Sequence, residues 1–322
     1  LMNPELVRCQ KNNPYTEGEI MNPPKGSVFD RKLTARLRLT GFGGQYGNPG
    51  PPKEDWSFAQ LQQASDGTKD CSITRHLPTI AEEIGIMGRG MLDPSPVRFN
   101  AVVCRKPQLT VEIPVGHDAR WVLLRRGVEA DGCILPPGNV YGLSAAGCPV
   151  IILWNPEKKG GIGVAHAGLK SVIDYNKVRG VAPSRPTESV AQILAASMGN
   201  PQHLRAVLAF SIRPRLFTHP LDDREHGTFN RMLCRYIEET HGRGCVSTDR
   251  TGEINLSEII ARQLVAAGIL RSNIEQISPP STPTYSSGPK GTLLDPGDNV
   301  WYTTRGKKEN SGKRNLILVT HY

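Results

Sequence analysis

From Val97 to the C-terminus, apolar runs of strand length alternate with stretches of helical periodicity. The runs are Val97–Val103, Trp121–Leu124, Val150–Trp154, Ile162–Ala165, Leu204–Phe210 and Leu316–Thr320. Leu169–Val178, Glu188–Ser197, Thr228–Thr240 and Leu256–Ala267 read as helices. Continuous apolar runs are what strands buried on both faces require. Their alternation with helices predicts an α/β fold: a single large domain with a mixed central sheet covered by helices on both faces. The helix from Leu256 carries the clearest start signal, with Asn255 as cap and Glu258 three residues on.

Before Val97 the pattern is weaker. Residues 1–30, rich in Asn, Pro and Gly, read as an extended N-terminal arm, leaving 31–322 as the folded domain. Lys32–Thr40 reads as a first strand. Gly41–Gly44 and Gly47–Pro52 form a loop that no helix crosses. Leu77–Ile86 reads as a short helix with Pro78 in its first turn.

With 38% hydrophobic residues the 322-residue chain can bury a core, and 33 Gly with 26 Pro imply many turns. No apolar run is long enough to cross a membrane, and the N-terminal residues lack the pattern of a secretory signal. Seven scattered cysteines without a C-x-x-C pair read as reduced thiols rather than a disulfide framework. A cytoplasmic or organellar (mitochondrial) matrix location, not secretion, is the expectation. The net charge of +9 gathers at Arg31–Arg38, Arg125–Arg126, Lys158–Lys159 and Lys307–Arg314. Such an excess favours anionic partners, whether phosphates, nucleotides or RNA. No RNA-recognition signature with interleaved aromatics accompanies it.

Within this frame His117, Cys148 and His166 each stand beside a strand-like run. Open α/β sheets place their chemistry at strand ends. Two imidazoles and a thiolate form the donor set of a catalytic metal site with one position left open. Residue type alone does not select these three, since a buried Cys is commonly a small hydrophobe and no H-E-x-x-H spacing joins them. Asp131 can orient a ligand imidazole, although Asp before Gly also suits a turn. Gly160–Gly163 lacks the third glycine of a dinucleotide fingerprint, and Gly288–Gly291 is no phosphate loop. Asp222–His226 reads as a solvated helix start.

Ala130-Asp131-Gly132, Ala145-Ala146-Gly147-Cys148-Pro149-Val150 and Val164-Ala165-His166-Ala167-Gly168 resemble the motifs of the YfiH, or multicopper polyphenol oxidoreductase ("laccase-domain"), family. The resemblance runs from about Arg36 to the C-terminus and includes Gly43-Gly44, Ile212-Arg213-Pro214, Asn255-Leu256, Ser281-Thr282, Arg305 and Ser311-Gly312-Lys313. It implies a His–Cys–His metal site on His117, Cys148 and His166; a thiolate with two neutral imidazoles suits Zn, and Cu is the alternative. It implies action on purine nucleosides, by phosphorolysis of inosine or adenosine or by adenosine deamination, so that the partners are a purine nucleoside and phosphate. Lys170, Arg213 and Arg305 become the candidate substrate- and phosphate-binding cations, and Asp131 the residue behind a ligand imidazole. Placing the first motif on Lys106-Pro107 instead would remove the first ligand. Gly147 stands where the family has Asp, Ala145 where it has Thr, Leu169-Lys170-Ser171 where it has W-R-G, and Arg213 where it has Gly. These departures open a second expectation, a catalytically degenerate member kept as a structural or RNA-associated subunit of a larger assembly. A copper-dependent polyphenol oxidase is the third, and the chain's 8 His are few for several coppers.

Overall fold

The computed structural model describes residues 29–43, 72–85, 90–92, 103–104, 111–114, 123–126, 130–187, 189–279 and 314–322. Thirteen strands divide between two sheets. The first sheet is built from β1 (Phe29–Thr34), β2 (Leu37–Phe42), β3 (Gly90–Leu92), β5 (Val111–Pro114), β6 (Leu123–Arg126), β8 (Asn139–Ala145) and β13 (Asn315–His321), in the order β1-β2-β13-β8-β3-β6-β5. The second contains β4 (Val103–Cys104), β7 (Gly132–Leu135), β9 (Val150–Trp154), β10 (Ile162–His166), β11 (Arg205–Ala209) and β12 (Ile274–Ile277), in the order β12-β11-β9-β10-β7-β4. Both sheets are mixed: β3 is parallel to β6 and β8, and β11 to β12, while the central pairs of each sheet are antiparallel.

The side-chain period of two sorts each central strand of the second sheet between two cores. Val150 and Ile152 of β9, Val164 of β10 and Val207 of β11 face the first sheet and meet Leu39, Leu143, Ile317 and Val319. Ile151, Leu153, Ala165, Ala206 and Leu208 point the other way, into a helical layer. That layer holds α2 (Leu169–Val172), α3 (Tyr175–Val178), α4 (Val190–Ser197), α5 (Gly227–His241) and α6 (Leu256–Ala266). Burying each such Val, Leu or Ile contributes roughly 1.5–3 kcal/mol, and the central strands of both sheets share in it, β2 and β13 of the first being buried along their whole length as β9 and β10 of the second nearly are. The mixed α/β domain expected from the sequence is therefore the fold. Its strands are divided between two sheets rather than held in a single central one, so helices cover one face of the second sheet and the first sheet covers the other.

Several local expectations are refined. The Lys32–Thr40 run is a hairpin, with β1 and β2 joined at Ala35–Arg36, and β1 begins at Phe29, ahead of the boundary expected at 31. Arg38 is buried in this hairpin because Asp30 receives its Nε at 2.7 Å and its Nη2 at 2.9 Å. The Leu77–Ile86 helix, α1, spans Ser72–Glu83, so Pro78 lies in its second turn and not its first. Leu77, Ile80, Ala81 and Ile84 form its buried stripe, and Tyr322 Oη donates to Ile84 O at 2.6 Å, tying the helix to the end of β13. Asn255 caps α6 as expected, its Oδ1 accepting from Glu258 N at 3.1 Å. Asp223 receives His226 N at 2.6 Å at the start of α5, matching the helix-start reading of Asp222–His226. The five described cysteines, Cys104, Cys133, Cys148, Cys234 and Cys245, are free thiols. Among the described residues no helix is long and apolar enough to cross a membrane. The expected strand Val97–Val103 and the N-terminal arm through residue 28 lie mostly or wholly outside the described residues.

Candidate functional site

Register brings the chemistry together at one end of the second sheet. His166 closes β10 opposite Val150, the first residue of β9, and Ala167 N donates to Pro149 O at 2.9 Å. Cys148, two residues before Val150, lies just outside this ladder, in the loop at the same end of the sheet as His166. On the other side of His166 runs the start of β7, where His166 N donates to Asp131 O at 2.7 Å. Residues directly opposite each other on adjacent strands project to the same face, so Asp131 and His166 are face-mates. This close approach depends on Gly132: a Cβ there would stand 2.6 Å from Ala165 Cβ and 2.8 Å from Val164 O.

Both groups are sealed from water, His166 at 5% exposure and Asp131 at 0%. Burial pushes the imidazole pKa down to about 4, against the upward pull of the Asp131 charge. The ring is therefore neutral near pH 7, the state in which imidazole ligates a metal. Burial acts on the other thiols in the opposite sense, raising Cys133 to about 12 and Cys234 and Cys245 to about 11. A buried thiol held protonated is a poor ligand. Cys148 is half-buried in the loop at the strand end.

The Cys148 loop is fixed from two sides. Asn315, fully buried at the start of β13, donates from Nδ2 to Ala145 O at 3.0 Å. Gly147 O accepts from Ile212 N at 2.7 Å, which docks the segment after β11 onto the loop. Gly147 has φ +107°, and Ile212 would stand 3.2 Å from a Cβ placed there. Arg213 follows this docked residue, half-buried at the start of the 3₁₀ turn Pro214–Leu216. Phe210, just upstream, adopts φ +62° with its side chain fully buried, a conformation L-residues avoid unless their surroundings impose it. Lys170 lies on α2, four positions past His166; it is exposed, with Nζ 5.7 Å from the Tyr175 ring centroid.

The fold thus gathers Asp131, Cys148, His166 and Arg213 at one sheet end and directs Lys170 toward Tyr175. His117 and Arg305 lie outside the described residues, as do Lys106 and Pro107. Among the described residues no group of three His, Cys, Asp or Glu forms a metal cluster. The two donors that are described fit a borderline-soft divalent ion: a thiol free of tight burial and an imidazole held neutral. Asn315, which holds the Cys148 loop in place from one side, was not singled out in the sequence, where an Asn opening an otherwise apolar strand was its one signal; Ile212, which holds it from the other, entered only as part of the Ile212-Arg213-Pro214 motif.

Solved structures share this architecture. YlmD from Geobacillus stearothermophilus matches with a TM-score of 0.55 and 15% identity, covering 92% of this chain and 99% of its own. Protein NMB0706 from Neisseria meningitidis matches with 0.56 and 13%, again over 92% and 99%. Hypothetical protein YfiH from Bacillus licheniformis aligns at 0.49 with 15% identity over 89% and 93%. No curated protein matches the chain. The family model described as multi-copper polyphenol oxidoreductase laccase matches residues 99–287, more than half of the chain and all of the Asp131–Cys148–His166 framework. The chain therefore belongs to this laccase-like, YfiH-type family.

Proposed function

We propose that the chain is a metal-dependent purine nucleoside-processing enzyme, acting by phosphorolysis of inosine or adenosine or by adenosine deamination. The observation that most supports this reading is that one sheet end carries His166, Asp131 opposite it and the loop that holds Cys148. The family is metal-associated, and His117, Cys148 and His166 would hold the ion. Zinc bound there supplies a Lewis acid and activates water near neutral pH.

The chain's own residues then have separate tasks. Asp131 holds the His166 ring in one orientation, as carboxylates behind ligand imidazoles do. Arg213, next to the docked Ile212, presents a guanidinium whose planar fork suits a phosphate or a developing anion. Lys170 and Arg305 would complete the anion-holding set. Enclosure of His166 and Asp131 keeps bulk water from competing with these contacts.

The test is metal analysis of purified protein combined with an inosine, adenosine and guanosine panel, with and without phosphate. Stoichiometric zinc, lost together with turnover in Cys148→Ala, is the expected result. A metal-free protein inert toward every nucleoside contradicts it.

One observation favours a second reading, a catalytically silent member kept as a structural or RNA-associated subunit. Where the family has Asp before the cysteine, this chain has Gly147 at a positive φ with Ile212 packed against it. Co-purification with RNA and salt-sensitive binding without metal would support that reading. The phenol oxidase named in the family's description would show as a strong visible absorption band after copper loading.

A further inference from the structure

We infer that the chain carries a second ligand site, for a nucleoside phosphate, at the end of the sheets opposite Cys148 and His166. A cleft of about 580 Å³ opens there, within the size range of small-molecule pockets. It lies where β9 ends at Trp154, β10 begins at Ile162, β13 ends at His321 and the β1–β2 hairpin turns at Arg36. The five-residue strand β9 separates it from Cys148, a span of about 15 Å at the usual rise per residue. The two sites are therefore distinct, and this inference does not rest on the function proposed for the first.

The lining combines two chemistries. Leu37, Ile134, Ile162 and Met198 give an apolar floor, and the indole of Trp154, packed against the inter-sheet core, gives an aromatic wall. Arg36, Lys158 and Lys159 line the same cleft. Among the described residues no ion pair engages these three cations. One carboxylate, Glu157, lines the cleft with them, its Oε2 3.0 Å from His203 Nδ1, so the cations outnumber it. Asn155 Oδ1 accepts from Glu157 N at 2.9 Å, which pins the turn that carries the two lysines.

A flat aromatic ligand stacks on an indole whatever its edge pattern, and clustered cations beside it select an anion. A base joined to a phosphate satisfies both requirements at once. A bare phosphate leaves the aromatic wall unused, and a neutral nucleoside leaves the cations unused. A cleft of about 580 Å³ suits one such unit.

The experiment is calorimetric titration of the full chain with 5′-nucleoside monophosphates, the matching nucleosides, inorganic phosphate and a single-stranded oligonucleotide. Saturable binding of the monophosphates is expected, weakened at least about tenfold by Lys158→Glu with Lys159→Glu and by Trp154→Ala, and largely kept by Trp154→Phe. Both lysines lie on an exposed turn, so their reversal leaves the fold intact, as circular dichroism would verify. Cys148→Ala and His166→Ala should retain the binding that the double-lysine variant loses. Four results overturn the inference: no saturable monophosphate binding; inorganic phosphate binding as tightly as the monophosphates and weakened equally in the double-lysine variant; binding by oligonucleotide alone; or loss of binding in Cys148→Ala with retention in the double-lysine variant, which would assign the nucleotide to the first site.

Discussion

Gly147 is where the chain's departure from its family acquires a physical cause. Its φ of +107° lies in a region L side chains rarely adopt, and Ile212 stands 3.2 Å from the position of a Cβ. Restoring the family's residue with Gly147→Asp should therefore not rescue anything. It should lower stability by roughly 1–3 kcal/mol through backbone strain and crowding, read as a lower urea midpoint, and Gly147→Ala should do nearly the same. An unchanged midpoint for both would show that the loop yields freely. At this scale the sequence was partly legible. Cys148 and His166 stood out through their framing motifs, and both lie at the end of the second sheet where β9 begins and β10 ends. The left-handed backbone at Phe210 was not legible, because nothing about a phenylalanine announces a positive φ that is imposed by its burial and by Ile277 O receiving its N–H at 2.8 Å.

Among the elements, the stretch after His166 shows why one helical pattern became two helices. Leu169–Val178 reads as continuous, yet α2 ends at Ile173, which is extended at φ −116°. Asp174 then caps α3, accepting from Asn176 N at 3.0 Å and from Ser184 N and Oγ at 2.7 and 2.8 Å. Tertiary hydrogen bonds to a segment ten residues away outweighed local period, and a sequence window does not contain them. Burial opposes ionisation of Asp174, but these hydrogen bonds and the Arg185 charge outweigh it and hold the carboxyl below its usual range. A carboxylate with a depressed folded-state pKa contributes stability that is present above the unfolded value, about 3.9, and is lost as pH falls through the folded value. Asp174→Ala should thus cost about 1–3 kcal/mol at neutral pH. The gap to wild type should narrow steadily below about pH 4. A gap that stays constant on acidification would mean that the carboxylate's charge plays no part. The β1–β2 hairpin was missed for a related reason: Ala35–Arg36 carries none of the Gly, Asn or Pro signals of a turn. By contrast β9, buried on both faces, was read residue for residue, since only a strand uses five consecutive apolar side chains that way.

At the scale of the molecule, two sheets and a helical layer make a scaffold whose two ends carry the two proposed sites. β9 and β10 cross its middle, carrying Cys148 and His166 at one end and Trp154 and Ile162 at the other. The scaffold's stability and the chemistry of its ends should be separable. Ile152→Ala, fully buried between the sheets, should cost roughly 2–5 kcal/mol, yet leave metal content per folded chain unchanged at temperatures below its lowered midpoint. Metal loss in parallel with that destabilisation would mean that the site borrows its geometry from the whole core rather than from strand-end register. The α/β class was visible in the sequence from the alternation of runs. The division into two sheets was not, because pairing partners such as β13 with β2 and β8 join residues far apart in the chain.

We propose that Cys148 and His166, brought to one sheet end, jointly hold one metal ion. Elemental analysis of the purified chain, its Cys148→Ala and His166→Ala variants, and an Ile152→Ala control tests it most directly. The account predicts about one zinc per wild-type and Ile152→Ala chain and essentially none in either ligand variant, with all four proteins folded at the measuring temperature. Equal metal content in the wild type and both ligand variants, or none in any of them after zinc loading, would contradict it.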